Sequence, residues 1–284
     1  MEETNLPDVE HTQVEVLEVS SVDSLAALNR SEIDVQIATA KKYPRNLSQV
    51  LNNIETLATL DEDTASACFY MLRRQGKLIE GPSVRMAEII ASSWGNIRVQ
   101  SRIIGNDGKM ITAQGVCHDL ESNYAVSSEV RRRITGKDGR TFSDDMQVVT
   151  GNAACAIAMR NALFKVVPMA LVKRVINKAK KVSLGEATSL EESRKKMLDY
   201  FQKIGVDQQH LFDYLSVGKI DEINTDMVVE LRGLATAIKE GTTTVQDTFF
   251  PKPSVEVATE EVDPSKGLFP EEHPESDGEA KKKK

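Results

Sequence analysis

The chain of 284 residues carries 36 Lys plus Arg against 43 Asp plus Glu, a net charge of −7, with 40% hydrophobic and 5% aromatic residues. That length allows one large domain or two small ones. No run of 18 apolar residues exists, so no membrane-spanning helix is expected, and an acidic start without an apolar stretch reads as no secretory signal. Cys68, Cys117 and Cys155 are isolated from one another. Their spacing argues against a disulfide framework or a zinc site and fits a reducing cytoplasm.

A net −7 disfavours a nucleic-acid partner only if the charge is spread evenly, and it is not. Residues 1–30 carry −6, residues 31–183 carry +7, and residues 184–284 carry −8. A basic body between acidic flanks is a pointer to nucleic-acid contact. Residues 1–30 read as an acidic disordered arm, 31–183 as a basic core, 184–242 as a small helical module, and 243–284 as a disordered acidic tail with five prolines and four terminal lysines.

In chain order, Ser31-Glu32-Ile33-Asp34 starts an amphipathic helix with Ile33, Ile37 and Ala40 on one face, stopping near Pro44. Helices follow at about 47–59, 62–75 and 82–93, the last with Pro82 in its first turn. The period then changes to two. Ile97, Val99, Ser101 and Ile103 alternate with Arg98, Gln100, Arg102 and Ile104. Asn106-Asp107-Gly108 turns into a return strand at 110–118, and Glu121-Ser122-Asn123 into a third at about 124–132. One face of this meander carries Arg98 and Arg102. The third strand runs into Arg131-Arg132-Arg133, with Lys137 and Arg140 beyond them, a candidate mobile basic finger.

A long helix is predicted over 144–166, its middle built of small residues that permit close approach to a sheet. Arg160 and Lys165 lie near its end. Pro168 breaks it. The next helix places Lys173, Arg174, Lys178, Lys180 and Lys181 opposite Leu171, Val172, Val175, Ile176 and Ala179. Helical spacing resumes at 197–204, 211–215 and 227–238, with Thr225 read as the last N-cap. The fold class is therefore α+β: a three-stranded antiparallel meander packed on a long helix, with N-terminal helices and a small C-terminal helical module.

Two basic clusters in an acidic protein point to a polyanion-binding surface, since guanidinium groups donate to phosphates in a planar fork. Tyr124 and Phe142 flank the finger and are the candidates for base stacking, with a core role as the competing reading. No catalytic constellation is found: the four histidines are scattered, no phosphate loop is present, and no metal spacing occurs. Magnesium chemistry would have to use Asp144, Asp145, Glu80 and Glu88, which read more simply as helix N-terminal and surface acids. The expectation is a non-enzyme without a cofactor. The alternatives are a magnesium-dependent DNA-processing nuclease and an assembly factor whose basic surface binds a protein's acidic tail. The acidic flanks are expected to compete with DNA for the basic face.

The stretch 31–41 (SEIDVQIATAK), the block 81–88 (GPSVRMAE) with Trp94-Gly95-Asn96, and Arg160-Asn161-Ala162 resemble a phage-encoded protein group. Its order of elements is similar to that of the single-strand annealing proteins of phage recombination, the RecT/Red-beta and Erf groups and their Rad-type counterpart. Residues 224–250 resemble a C-terminal module of similar phage proteins. The resemblance implies a β-β-β-α core and ATP-independent coating and annealing of single-stranded DNA by a homo-oligomeric ring or filament. It also implies a groove lined by Arg160 and Lys165, backbone contacts from residues 131–140, and a phage exonuclease or a host single-strand-binding protein as further partners. The tail departs from the pattern, ending in lysines rather than an apolar tip.

Overall fold

The first helix begins well before its amphipathic stretch. In the computed structural model, which describes residues 21–74, 76–136, 138–185 and 190–250, α1 (Ser21–Lys42) already runs through the end of the expected arm. It stops just ahead of Pro44, which disfavours helical geometry at Tyr43. Most of the acidic arm, the tail from residue 251, and Lys137 lie outside the described residues. The described residues belong to one compact unit.

α2 (Leu47–Ala58) is capped by Asn46, whose side chain accepts from the Gln49 amide at 3.1 Å, and it buries Val50, Ile54 and Ala58 at helical spacing. α3 (Glu62–Ala67) is capped in the same way by Asp61. It is much shorter than the predicted 62–75. After Cys68 the chain enters an antiparallel hairpin, β1 (Phe69–Arg74) and β2 (Lys77–Pro82). Phe69 and Met71 face the cluster beneath the N-terminal helices, while Leu72 joins the C-terminal cluster. A short apolar run buried on both sides carries no period that separates strand from helix, so the sequence misassigns it. Gly76, at φ +71°, supplies the left-handed residue of the two-residue turn. Pro82 therefore ends a strand instead of opening a helix. Ser83 is the N-cap of α4 (Val84–Trp94) and accepts from the Met86 amide at 3.1 Å.

The meander forms as its alternation dictates. β3 (Ile97–Asn106), β4 (Met110–Asp119) and β5 (Tyr124–Arg133) pair antiparallel in that order, with a bulge at Ile104. Asp107 fixes the first turn by accepting from the Lys109 and Met110 amides. Along β4, Ile111, Ala113, Gly115, Cys117 and Asp119 point inward, onto α5 (Asp144–Val166) and the core. The small residues of α5 allow the contact. A Cβ on Gly115 would lie 2.2 Å from the backbone carbonyl of Ala158, so helix and sheet touch main chain to main chain.

Pro168 turns the chain by 118° into α6 (Met169–Ser183), which buries Val172, Val175, Ile176 and Ala179 as expected. α7 (Leu190–Lys203), α8 (Gln208–Leu215), α9 (Thr225–Lys239) and α10 (Val245–Phe249) complete the unit. Asn224, not Thr225, caps α9. Residues 228–237 of α9 are all buried. The cause is the hairpin that the sequence did not reveal: α9 runs against β1, and Gly233 meets the Met71 backbone where a Cβ would be 2.8 Å away.

One buried ion pair ties the sheet to the N-terminal helices. Arg45 donates to both oxygens of Asp119 at 2.7 Å and stacks over Trp94. Burial pushes the Asp119 carboxyl upward, but the bonds from Arg45, the Ser122 amide and Trp94 outweigh it and hold the group below the usual carboxylate range. The stability this adds is present above the unfolded carboxyl's pKa, about 3.9, and is lost as pH falls through the lower folded value. Asp119→Ala is expected to cost about 2–3 kcal/mol at neutral pH, because it strands a buried guanidinium that keeps only Glu121. Urea unfolding at pH 7 and again near pH 3 checks this: the gap between parent and variant should narrow in acid.

Candidate nucleic-acid interface

Strand register decides which basic residues share a surface. Arg98, Gln100 and Arg102 pair across β4 with His118, Val116 and Gln114, and these pair in turn with Ala125, Ser127 and Glu129 of β5. Arg131 lies beside Thr112 and Arg133 beside Met110. All of these positions have the parity opposite to the inward residues of β4, so they line the face turned away from α5. Arg102, Arg131 and Arg133 are exposed on it. The face thus carries four arginines and one acid, Glu129. The two-residue period of 97–104 already put Arg98 and Arg102 together; pairing with β4 adds Arg131 and Arg133.

The guanidinium groups are held loosely by neutral or exposed partners. Arg102 donates to Gln114 Oε1 at 3.1 and 3.3 Å. Arg131 reaches Asp107 at 3.4 Å, with both side chains more than half exposed. Arg98 donates to Gln36 of α1 at 3.3 Å and lies 3.9 Å from Glu32. The Arg102 and Arg131 contacts are exposed and weak, so those donors can be surrendered to a phosphate at little cost, whereas the Arg98 side chain is only 18% exposed.

The rest of the expected set is placed elsewhere. The triple arginine is not a mobile finger. Its three residues end β5, Ile134 after them is fully buried, and a Thr135–Thr141 bridge with a Gly136 amide-to-Arg140 carbonyl bond closes the loop. Arg140 stands exposed at that loop, 3.7 Å from Asp138. Arg132 points inward and donates to the Gly241 carbonyl; burial, with Arg160 nearby, lowers its pKa. Arg160 is only 6% exposed. It lies 3.6 Å from Glu240, donates to Thr242 at 3.5 Å and stacks over the Tyr70 ring. Glu240 in turn accepts from the Val84 amide at the start of α4, and burial raises its pKa. Arg160 is therefore a clasp between α5 and the turn after α9, and it does not line a groove. Arg160→Leu is expected to lower stability by about 2–4 kcal/mol while leaving the salt dependence of any DNA binding unchanged. Thermal unfolding and a salt titration on the same variant check both halves.

The cationic face of α6 is partly neutralised. Arg174, at 2.8 Å, and Lys178 share Glu55 of α2, and Lys180 pairs with Glu80. Lys173 and Lys181 are exposed, as is Lys165 at the end of α5. Glu55 is the residue whose role the sequence hid, because its partners lie more than a hundred positions away. Tyr124 falls on the inward parity of β5, paired with Asp119, and Phe142 packs with Ile134 and Ala154. The strand positions of the arginine face hold no phenylalanine, tyrosine or tryptophan; the ring among them is the imidazole of His118, which bonds Asn123 at 2.9 Å.

The acids of the magnesium alternative stay apart. Glu80 pairs with Lys180, Glu88 with Arg85, and Asp144 and Asp145 occupy the first turn of α5. Among the described residues no three His, Cys, Asp or Glu side chains are grouped to hold a metal ion. Burial pushes the thiols of Cys68 and Cys117 up to about 12, which keeps them protonated. No single described helix is long and apolar enough to cross a membrane. Comparison of the chain with family models, with curated proteins and with solved structures returns no match.

Proposed function

We propose that the face of the β3–β5 sheet turned away from α5 binds the backbone of single-stranded DNA, and that the protein promotes ATP-independent annealing of complementary strands, as in phage recombination. The observation that carries this is the convergence of Arg98, Arg102, Arg131 and Arg133 on one sheet face whose strands contribute a single acid, Glu129, with Arg102, Arg131 and Arg133 exposed and Arg98 against α1. Guanidinium groups there meet phosphates, and with no phenylalanine, tyrosine or tryptophan at the face's strand positions the bases have little but the His118 imidazole to stack on and stay free to pair. α6, with Lys173, Arg174, Lys178 and Lys181, offers a second cationic surface in the same reading. Met146, Val148 and Val149 stand exposed on the first turns of α5, which supports a homo-oligomer. Three free cysteines fit a reducing cytoplasm.

The test is a titration of labelled single- and double-stranded DNA across a salt series, followed by annealing of complementary strands without nucleotide. Expected are tighter binding of the single strand, affinity that falls steeply with salt, and faster pairing in the presence of protein. Binding without faster pairing would reduce the protein to a coating factor. Absence of binding at physiological salt would overturn the reading.

A further inference from the structure

The sheet face has a candidate occupant within the chain. Residues 1–20 hold six acids (Glu2, Glu3, Asp8, Glu10, Glu15 and Glu18) and no lysine or arginine. They lead into α1, and α1 already touches the arginine face: Gln36 accepts from Arg98, and Glu32, one turn earlier, lies 3.9 Å from the same guanidinium. At the other end of this contact the Asn96 side chain donates to the Tyr43 carbonyl, so the helix meets the start of β3 with its C-terminal end and Arg98 with its middle. Ser21 lies eleven residues, about 16 Å, beyond Glu32 along the helix. Twenty further residues reach up to about 66 Å when extended, which is more than the span of the sheet.

We infer that the acidic segment 1–20 docks on the arginine face as an intramolecular stand-in for a polyanion, continuing the contact that Glu32 begins. The inference rests on reading that face as a polyanion surface, and it names the competitor that sets its working affinity. Arg102, Arg131 and Arg133 are the exposed positions that the segment's carboxylates would meet, since Arg98 is already engaged by α1. Attraction of this kind is electrostatic and exposed, so it acts at low salt and fades as the Debye length shortens. A docked segment would leave a dense phosphate backbone able to displace it and would suppress weaker, non-specific anions. The other acidic stretch, residues 254–280, has nine acids and one lysine, but the described residues just before it, Phe249 and Phe250, pack in the C-terminal cluster.

The experiment needs no DNA at first. The full chain is compared with a full-length variant carrying E2Q, E3Q, D8N, E10Q, E15Q and E18Q. Each is treated with phenylglyoxal, and the modification of individual arginines is read by mass spectrometry. At about 20 mM salt, Arg102, Arg131 and Arg133 should react at least threefold faster in the neutralised chain. Arg85 and Arg174, exposed but off the face, should not change, and at about 0.5 M salt the two chains should match. Equal rates at low salt would overturn the inference, as would an equal acceleration of Arg85. So would protection that survives in the neutralised chain and disappears only when the acids of 254–280 are replaced. Single-strand affinity is then measured on the same two proteins, with a five- to tenfold gain expected at low salt. Faster modification with no change in affinity would uphold the docking and overturn the assignment of the face to DNA.

Discussion

Replacing Arg98, Arg102, Arg131 and Arg133 together by alanine is expected to weaken single-strand binding on the order of a hundredfold to a thousandfold near 0.1 M salt. Each guanidinium lost removes a charge-assisted contact worth roughly 1 kcal/mol net. The salt dependence is the sharper readout. Each single-strand phosphate contact contributes about 0.7 to the slope of log affinity against log salt, so the slope should flatten by up to about 3. Arg102, Arg131 and Arg133 are exposed and bond only to exposed or neutral partners, so their loss should move the melting temperature little, and any drop should come from Arg98, which is largely covered and bonds Gln36 of α1. The matching quadruple change on α6 (Lys173, Arg174, Lys178 and Lys181 to alanine) separates the two surfaces. If the α6 variant loses the slope and the sheet variant keeps it, the strand lies on the helix and the sheet assignment falls.

Gly115→Val is expected to destabilise the protein by at least about 3 kcal/mol and to give largely insoluble chain. A Cβ at residue 115 would sit 2.2 Å from the Ala158 carbonyl and 2.5 Å from the Met159 amide, both backbone atoms of α5. Overpacking against side chains costs about 1–3 kcal/mol because they can rotate away, whereas a helix backbone can yield only by lifting off the sheet. That movement would reopen the Ile111, Ala113 and Ala154 cluster. Gly105→Ala is the control. Its nearest neighbour is a Thr112 side chain at 3.8 Å, so the change should cost less than about 1 kcal/mol. Denaturant unfolding of the two variants side by side decides the point, and equal stabilities would contradict main-chain contact between α5 and β4.

How much of this was legible in the sequence depended on whether a residue's partners were near it in the chain. The meander was readable because alternation over 97–104 and 110–118, with a turn between them, is a local signal. The long helix was readable from its length and from Pro168. The β1–β2 hairpin was not, because Phe69-Tyr70-Met71-Leu72 is buried on both sides and has no period. Missing it hid why α9 carries ten consecutive buried residues. At the site, composition and period grouped Arg98 with Arg102, and register was needed to add Arg131 and Arg133. Arg160 was misread as a groove residue because its partner, Glu240, is eighty residues away, and nothing local marks a lone arginine in a small-residue helix as buried. Glu55 reverses the impression of α6 in the same way: the helix reads as purely cationic until a carboxylate from α2 is set against it.

Arg131-Arg132-Arg133 divides its work by parity. The outer two face away from α5, and the middle one reaches through to the Gly241 carbonyl. A slip of β5 by one residue would invert the arrangement, driving two guanidinium groups into the packed side and leaving one outside. The Arg132 clasp therefore serves as a register lock. The same run that offers charge to a partner also prevents the strand from sliding, and the turn after α9 checks from within that the outer arginines are correctly aimed.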